Sequence, residues 1–499
     1  MILGALISIP TPEVDWVGLS PPLVPLGAAG LALLGSVFAP QGARRALAAV
    51  VIALGFVAML GFSAYVYWKS PDAQGLVADA ARRDRLAALA QLIIAGAALL
   101  TVGIAWSDRP KQEHVGEYYV LLATAASGMA FMVSASNLMT LFLGLEWFSL
   151  SLYVLCAIDI ELPTSLESGL KYLIVGSFGS AVLLFGFALV FGATGGGLQL
   201  ADIAERAGGD LKSDPMLLVG LAMILTGLGF KSSAAPFHMW TPDVYQGSPT
   251  PVTAFMSAAT KVVALVVTLR VLVTAFPAQE DFWTAAIAAI AVASLAIGNL
   301  GALVQRNVKR LLAYSSISHA GFMLIPIAAA NSLGGRALLY YLIPYGAASL
   351  GAFAVVAARE RELGAPVTLD NLAGMGWERP FLGFSLALFA FAFIGLPPGG
   401  LFLGKVYAFS AAVDRGWTWL VIVGVVATAV SVYYYLAIIR SLYMRAEAEL
   451  QLAPAGGSPP RDIALSASVG ASLAVVFASF VFVQPLIDLA EKAAGSLAF

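Results

Sequence analysis

Charge is what this sequence has least of. Only 11% of its 499 residues are Asp, Glu, Lys or Arg, against 60% hydrophobic, a balance that excludes an ordinary soluble domain. Cysteine is almost missing as well. Cys156 stands alone, which rules out an internal disulfide and any cluster held by several thiolates. The three histidines, His114, His238 and His319, include no pair at metal-ligand spacing, so no metal site is expected. No GxxxxGK[ST] loop and no GxGxxG following a strand occurs, and the glycine runs at 195–197 and 399–400 fall in membrane loops or breaks. No nucleotide is therefore expected in this chain. A formal net charge of -2 with no compact basic tract argues against nucleic acid and against a polybasic lipid anchor. The start, MILGALISIP, has no basic residue ahead of its apolar run, so no separate cleavable signal is expected.

What the sequence does have is apolar length. About 20 residues span a bilayer, and the windows fall into about fourteen segments, from near 19–38 and 46–67 to near 417–444 and 463–485. This predicts an all-α polytopic membrane protein whose first partner is the lipid bilayer. Two segments are too long and internally broken. One carries Gly227, Gly229, Lys231, Ser232, Ser233 and Pro236; the other carries Gly395, Pro397, Pro398, Gly399, Gly400, Gly404 and Lys405. Broken helices are tolerated inside a membrane where protein or a watery cavity covers the freed backbone, as at transporter binding sites; a simple proline kink is the plainer reading. LKYLIVGSFGSAVLLFGF from Leu170 is similar to LYYLIPYGAASLGAFAV from Leu339, 169 residues later, and Lys231 and Lys405 stand 174 apart. The near-equal offsets point to two related bundles. Basic residues in alternate loops number fourteen on one side, among them Arg44, Arg45, Arg109, Lys111, Lys309, Arg310, Arg445 and Arg461, against nine on the other. That excess places the first side in the cytoplasm and both termini outside.

Against this background four ionisable residues stand out: Glu146, Lys231, Lys261 and Lys405, each flanked by long apolar sequence. A charge at the centre of a membrane helix costs roughly 2.5 to 3.5 kcal/mol on insertion scales. One carboxylate and three amines that exchange protons readily suit ion movement or proton relay; a static Glu–Lys pair pinning two helices is the alternative. Lys171 follows Glu167 by one turn, which makes either an interfacial ion pair with a snorkelling lysine or an entry point for protons. Arg270, near a span end, reads as snorkelling. His238 sits in the proline-rich stretch after the first break, and His319 lies about ten residues into its span, where a neutral imidazole can pass a proton between its nitrogens. Either also fits a hydrogen-bonded core histidine. His114, in a charged loop, reads as solvated.

The segments LFLGLEWFSLSLYVL, ESGLKYLIVGS, GFKSSAAPFHMWTPDVYQGSPTPVTAF, KRLLAYSSISHAGF and GLPPGGLFLGK together resemble the antiporter-like subunits of respiratory complex I, from about Tyr118 to Tyr443. TPDVY and the lysine of GLFLGKVYAF resemble the N branch of NADH-quinone oxidoreductase more than the L or M branches. No L-type lateral helix is expected, since the last span ends near Gln484 and only a short tail remains. The resemblance implies two inverted five-helix repeats, each with a broken helix. The divisions are 1–115 (helices 1–3), 116–274 and 275–446 for the repeats, and 447–499 for a final helix and tail. It also implies a proton relay through Glu146, Lys231, Lys261 and Lys405, with His238, His319, Lys171 and Glu167 in support and breaks at Pro236, Pro397 and Pro398. The chain is then a subunit of a proton translocase with no redox chemistry of its own. NAD, FMN, iron–sulfur clusters and quinone would lie in partner subunits, the neighbours being subunit M and the small subunits K and J in a bacterial inner membrane. A free-standing or Mrp-type cation/proton antiporter is the alternative, and a silent scaffold, in which the four charges are dispensable, a third.

Overall fold

The computed structural model describes residues 14–107, 115–444 and 462–497; Arg109, Lys111, His114, Arg445 and Arg461 lie outside them. Helices begin where a short polar side chain can hold the first free N–H groups. Asp15 accepts from the N–H groups of Val17 and Gly18 to start α1 (Trp16–Phe38). α2 (Gln41–Lys69) follows, then a two-stranded antiparallel hairpin of β1 (Gln74–Leu76) and β2 (Ala81–Arg83), a small exception to an all-helical plan. Asp84 caps α3 (Arg85–Ala105). α4 (Val115–Val133) is followed by α5 (Leu138–Cys156), capped by Asn137, and α6 (Pro163–Ala193) has proline in its first turn, where no N–H is needed. A short α7 (Leu200–Arg206) leads to α8 (Pro215–Lys231), α9 (Trp240–Gly247), α10 (Thr250–Phe255), a π turn at Met256–Thr260 and α11 (Lys261–Ala275). α12 (Glu280–Leu303), α13 (Val308–Ala328), α14 (Ser332–Leu363) and α15 (Met375–Glu378) come next. The chain closes with α16 (Pro380–Ile394), α17 (Gly400–Asp414), α18 (Thr418–Tyr443), α19 (Ile463–Val481) and α20 (Val483–Ala494).

Among the described residues, 11 helices are long and apolar enough to cross a membrane, so this is a multi-pass membrane protein. The sequence leads one to expect about fourteen spans; the shortfall falls at α4 and at the two breaks, where α8 and α16 are shorter apolar helices. The breaks stand where the glycines and prolines predict them, between α8 and α9 and between α16 and α17. Burial sorts the helices. The segment from Thr250 to Ala275 is wholly buried, α13 and α14 nearly so, while α18 and α19 turn most of their surface outward. α14 packs against α3, α13, α16, α17, α19 and α20 and forms the spine of the second half.

Two sequence readings change here. Arg270 does not snorkel: its side chain is 2% exposed, with Nη1 2.6 Å from Asp84 Oδ2 and Nη2 donating to Oδ1 at 2.9 Å. A guanidinium enclosed by apolar helices needs a carboxylate, and the partner comes from the far-off basic cluster of residues 82–85. The short C-terminal tail is in fact the amphipathic α20, which buries Ile487, Ala490, Ala493 and Ala494 and exposes Gln484, Asp488, Glu491 and Lys492. Those apolar residues recur at helical spacing.

α6 and α8 meet with almost no side chain between them: a Cβ at Gly186 would stand 2.8 Å from Gly220 O, and one at Gly220 would stand 3.0 Å from Gly186 O. Gly186→Val is expected to force α8 away from α6 and destabilise the protein by about 1 to 3 kcal/mol. The measurement is the thermal unfolding midpoint in detergent, with Ala188→Val, on the exposed face of the same helix, as comparison.

Candidate functional site

The first lysine is the last residue of α8, beside the break, and 2% exposed. Lys231 Nζ donates to Ser149 Oγ at 2.6 Å, and Ser149 passes its own hydroxyl hydrogen to Leu145 O within α5. Four rings surround the ammonium: Phe148, Tyr172, Tyr153 and Phe230 at 5.3, 5.5, 5.6 and 5.6 Å to their centroids. Such rings favour a cation without neutralising it. Glu146 lies on α5 one turn before Ser149. No ion pair joins it to Lys231 within salt-bridge distance among the described residues, and Glu146 Oε1 is buried without a hydrogen bond.

Lys261 continues the line. It is fully buried at the start of α11, and its Nζ donates to Ser232 O at 2.7 Å. Ser232 caps α8 directly after Lys231, so the Lys261 ammonium lies at a helix C-terminus, where free carbonyls and the helix dipole both favour positive charge. His319 lies buried on α13. Tyrosines hold both of its ring nitrogens, with Nδ1 2.9 Å from Tyr341 Oη and Nε2 3.2 Å from Tyr435 Oη. Tyr435 also bonds Ser315.

Lys405 repeats the theme in the second broken helix. It lies on α17 but reaches back to the end of α16, donating to Ile394 O at 2.8 Å and Phe393 O at 3.3 Å. The Phe322 ring lies 4.2 Å from its ammonium. Gly395 ends α16 with φ +83, and a Cβ there would stand 2.9 Å from Lys405 Cδ. Glycine is thus required twice at this position, for the left-handed backbone and for the lysine stem.

Lys171 and Glu167 form the expected i, i+4 pair at 2.6 Å, and Asp243 joins them at 3.0 Å. Arg310 closes on the other Asp243 oxygen at 2.5 Å. Lys171, Glu167 and Asp243 border a cavity of about 580 Å³, together with Lys309 and Glu360. His238, by contrast, is half-buried in the break between exposed Pro236 and Met239. Among the described residues no hydrogen bond or ion pair connects it to Lys231 or Lys261. Pro397 and Pro398 lie in the second break. No group of three or more His, Cys, Asp or Glu side chains among the described residues is placed to hold a metal ion. Sequence reasoning missed Ser149, Ser232, Tyr341 and Tyr435. A hydroxyl spaced one turn from Glu146 was the available signal for Ser149; a backbone carbonyl leaves no trace in composition.

A family described as NADH:quinone oxidoreductase/Mrp antiporter, TM, matches residues 135–431. NADH-quinone oxidoreductase subunit N of Trichlorobacter lovleyi is 41% identical over 429 residues, 85% of this chain and 87% of its own. A chain of respiratory complex I from Thermus thermophilus has a TM-score of 0.78 at 34% identity, covering 95% of this chain and 99% of that one. A chain of the Mrp complex from Dietzia sp. reaches 0.84 at 22% identity over 96% and 97%, a likeness of fold. The matched span contains both broken helices and all four membrane-embedded charges, and with this identity over most of its length the chain belongs to the subunit N family of NADH-quinone oxidoreductase, the antiporter-like membrane subunits of respiratory complex I.

Proposed function

We propose that this subunit moves protons through the membrane along Glu146, Lys231, Lys261, His319 and Lys405, driven by quinone reduction in neighbouring subunits. The observation that carries the reading is a set of three buried amines and a buried imidazole, each held by a neutral hydroxyl or carbonyl rather than locked to a carboxylate. A proton held that way can leave. The cycle begins when the attraction of Glu146 for Lys231 is lost, after which Lys231 gives up its proton toward Lys261, and Lys405 receives it and releases it outward. Adjacent groups change one another's affinity, so the titrations belong to the set. Lys171, Glu167 and the charged cavity beside them serve as the input side, and His238 tunes the break from its outer face. The segments 116–274 and 275–446 act as the two repeats, each supplying one broken helix.

In this reading the chain performs no redox step. NAD, FMN, iron–sulfur clusters and quinone belong to partner subunits, with the antiporter-like subunit M and the small subunits K and J as membrane neighbours. The location is a bacterial inner membrane with both termini outside. The fold likeness to the Mrp complex favours a second reading, a cation/proton antiporter; sodium movement independent of quinone reduction would select it.

Glu146→Gln and Lys231→Met are expected to lower proton pumping in membranes holding the assembled complex by tenfold or more, with quinone reduction falling alongside. Normal pumping in both variants sinks the proposal. Ser149→Ala, which leaves a buried ammonium short of its acceptor, is expected to destabilise the protein by about 1 to 3 kcal/mol. Ser149→Thr, which keeps the hydroxyl, should recover most of that in the thermal midpoint.

A further inference from the structure

The helix that carries Lys261 is irregular where regularity matters most. The π turn at Met256–Thr260 ends immediately before Lys261. A π turn holds one residue more than an α turn, and moving that residue along the helix rotates what lies between by about 100°. Nothing in KVVALVVTLRVLVTA fixes where the extra residue sits, since β-branched valines pack on any face. The direction of Lys261 must be set from outside the helix. Upstream, Thr250 is gripped by Lys309, whose Nζ reaches Thr250 Oγ1 at 2.9 Å, and by Glu360. Downstream, the only ionic hold among the described residues of α11 is Arg270. It donates through Nη1 and Nη2 to both oxygens of Asp84 at 2.6 and 2.9 Å, while its Nε has no acceptor.

We propose that Arg270 and Asp84 are a positioning pair for Lys261, fixing the rotation and height of α11 so that its ammonium meets Ser232 O. This rests on the proton-path reading of Lys261. Arg270 lies about 13 Å farther along the axis than Lys261 and on nearly the opposite side of the helix, so a twist at one end is passed to the other. The anchor itself is fixed: Asp84 is 1% exposed and caps α3 by accepting from Ala87 N at 2.8 Å. A forked, two-point bond resists rotation in a way a single ammonium contact does not. The pair touches no transferred proton; it acts through Lys261.

The test uses the assembled complex in membranes, with Arg270→Lys, Asp84→Glu, the two combined, and Lys261→Met. The single variants are expected to assemble to at least half the parental amount and to pump at least threefold less per assembled complex. The combination, which shortens one arm and lengthens the other, should regain at least twofold over Arg270→Lys. A pair that serves folding alone would lower the amount of complex and leave pumping per complex unchanged, and that result overturns the proposal. Failure of every clamp variant to assemble overturns it too, by making the pair a requirement of folding. Normal pumping by Lys261→Met would instead bring down the proton path itself, whatever the clamp variants do.

Discussion

An ammonium group in a low-dielectric interior must find acceptors or surrender its proton, and here the acceptors come from the ends of interrupted helices. An unbroken membrane helix has few to give, because its interior carbonyls are already bonded to their own turn. Ending α8 at Lys231 frees Ser232 O for Lys261, and ending α16 at Ile394 frees the carbonyls that hold Lys405. The breaks therefore supply the acceptors of Lys261 and Lys405, while Lys231 takes the Ser149 hydroxyl of the unbroken α5. Close helix contacts follow from the same need, since α8 reaches its place against α6 only because Gly186 and Gly220 let the backbones meet.

Burial is arranged to match. The helices that carry Lys261, His319, Tyr341 and Tyr345 are those most enclosed by protein, so the polar groups run down the centre while the apolar faces of α1, α2, α18 and α19 meet the surroundings. This inverts the layering of a soluble domain and explains why helix periodicity in the sequence is weak. Inner helices are apolar nearly all round, with polar residues as isolated exceptions.

Those exceptions are what made the sequence readable. Glu146, Lys231, Lys261 and Lys405 could be singled out because an isolated charge in an apolar run is conspicuous, and the two breaks because glycine and proline cluster beside lysine. His319 was legible for the same reason. The failures have an equally physical origin. Arg270 looked like a terminal, snorkelling residue because its partner Asp84 lies 186 residues earlier in sequence, and no local pattern joins them. The π turn before Lys261 is invisible in MSAAT, and α20 is hidden because it continues directly from the last apolar span.

Lys405 stands beyond its break, on the second half-helix, yet its ammonium settles at the C-terminus of the first half, just as Lys261 settles on the residue that caps α8. The shared destination matters more than the position in the chain. A helix end attracts a cation with partial charges worth about half an elementary charge, enough to keep a lysine protonated some of the time and too little to lock it. A carboxylate at the same place would bind the proton's charge far more strongly, and in a medium of low dielectric the pair would stay closed. Glu146 is the acid among the four and forms no ion pair with Lys231 among the described residues; Lys231 meets Ser149, one turn farther along α5, instead. Neutral acceptors thus hold all three lysines, and the single embedded carboxylate forms no ion pair with any of them among the described residues.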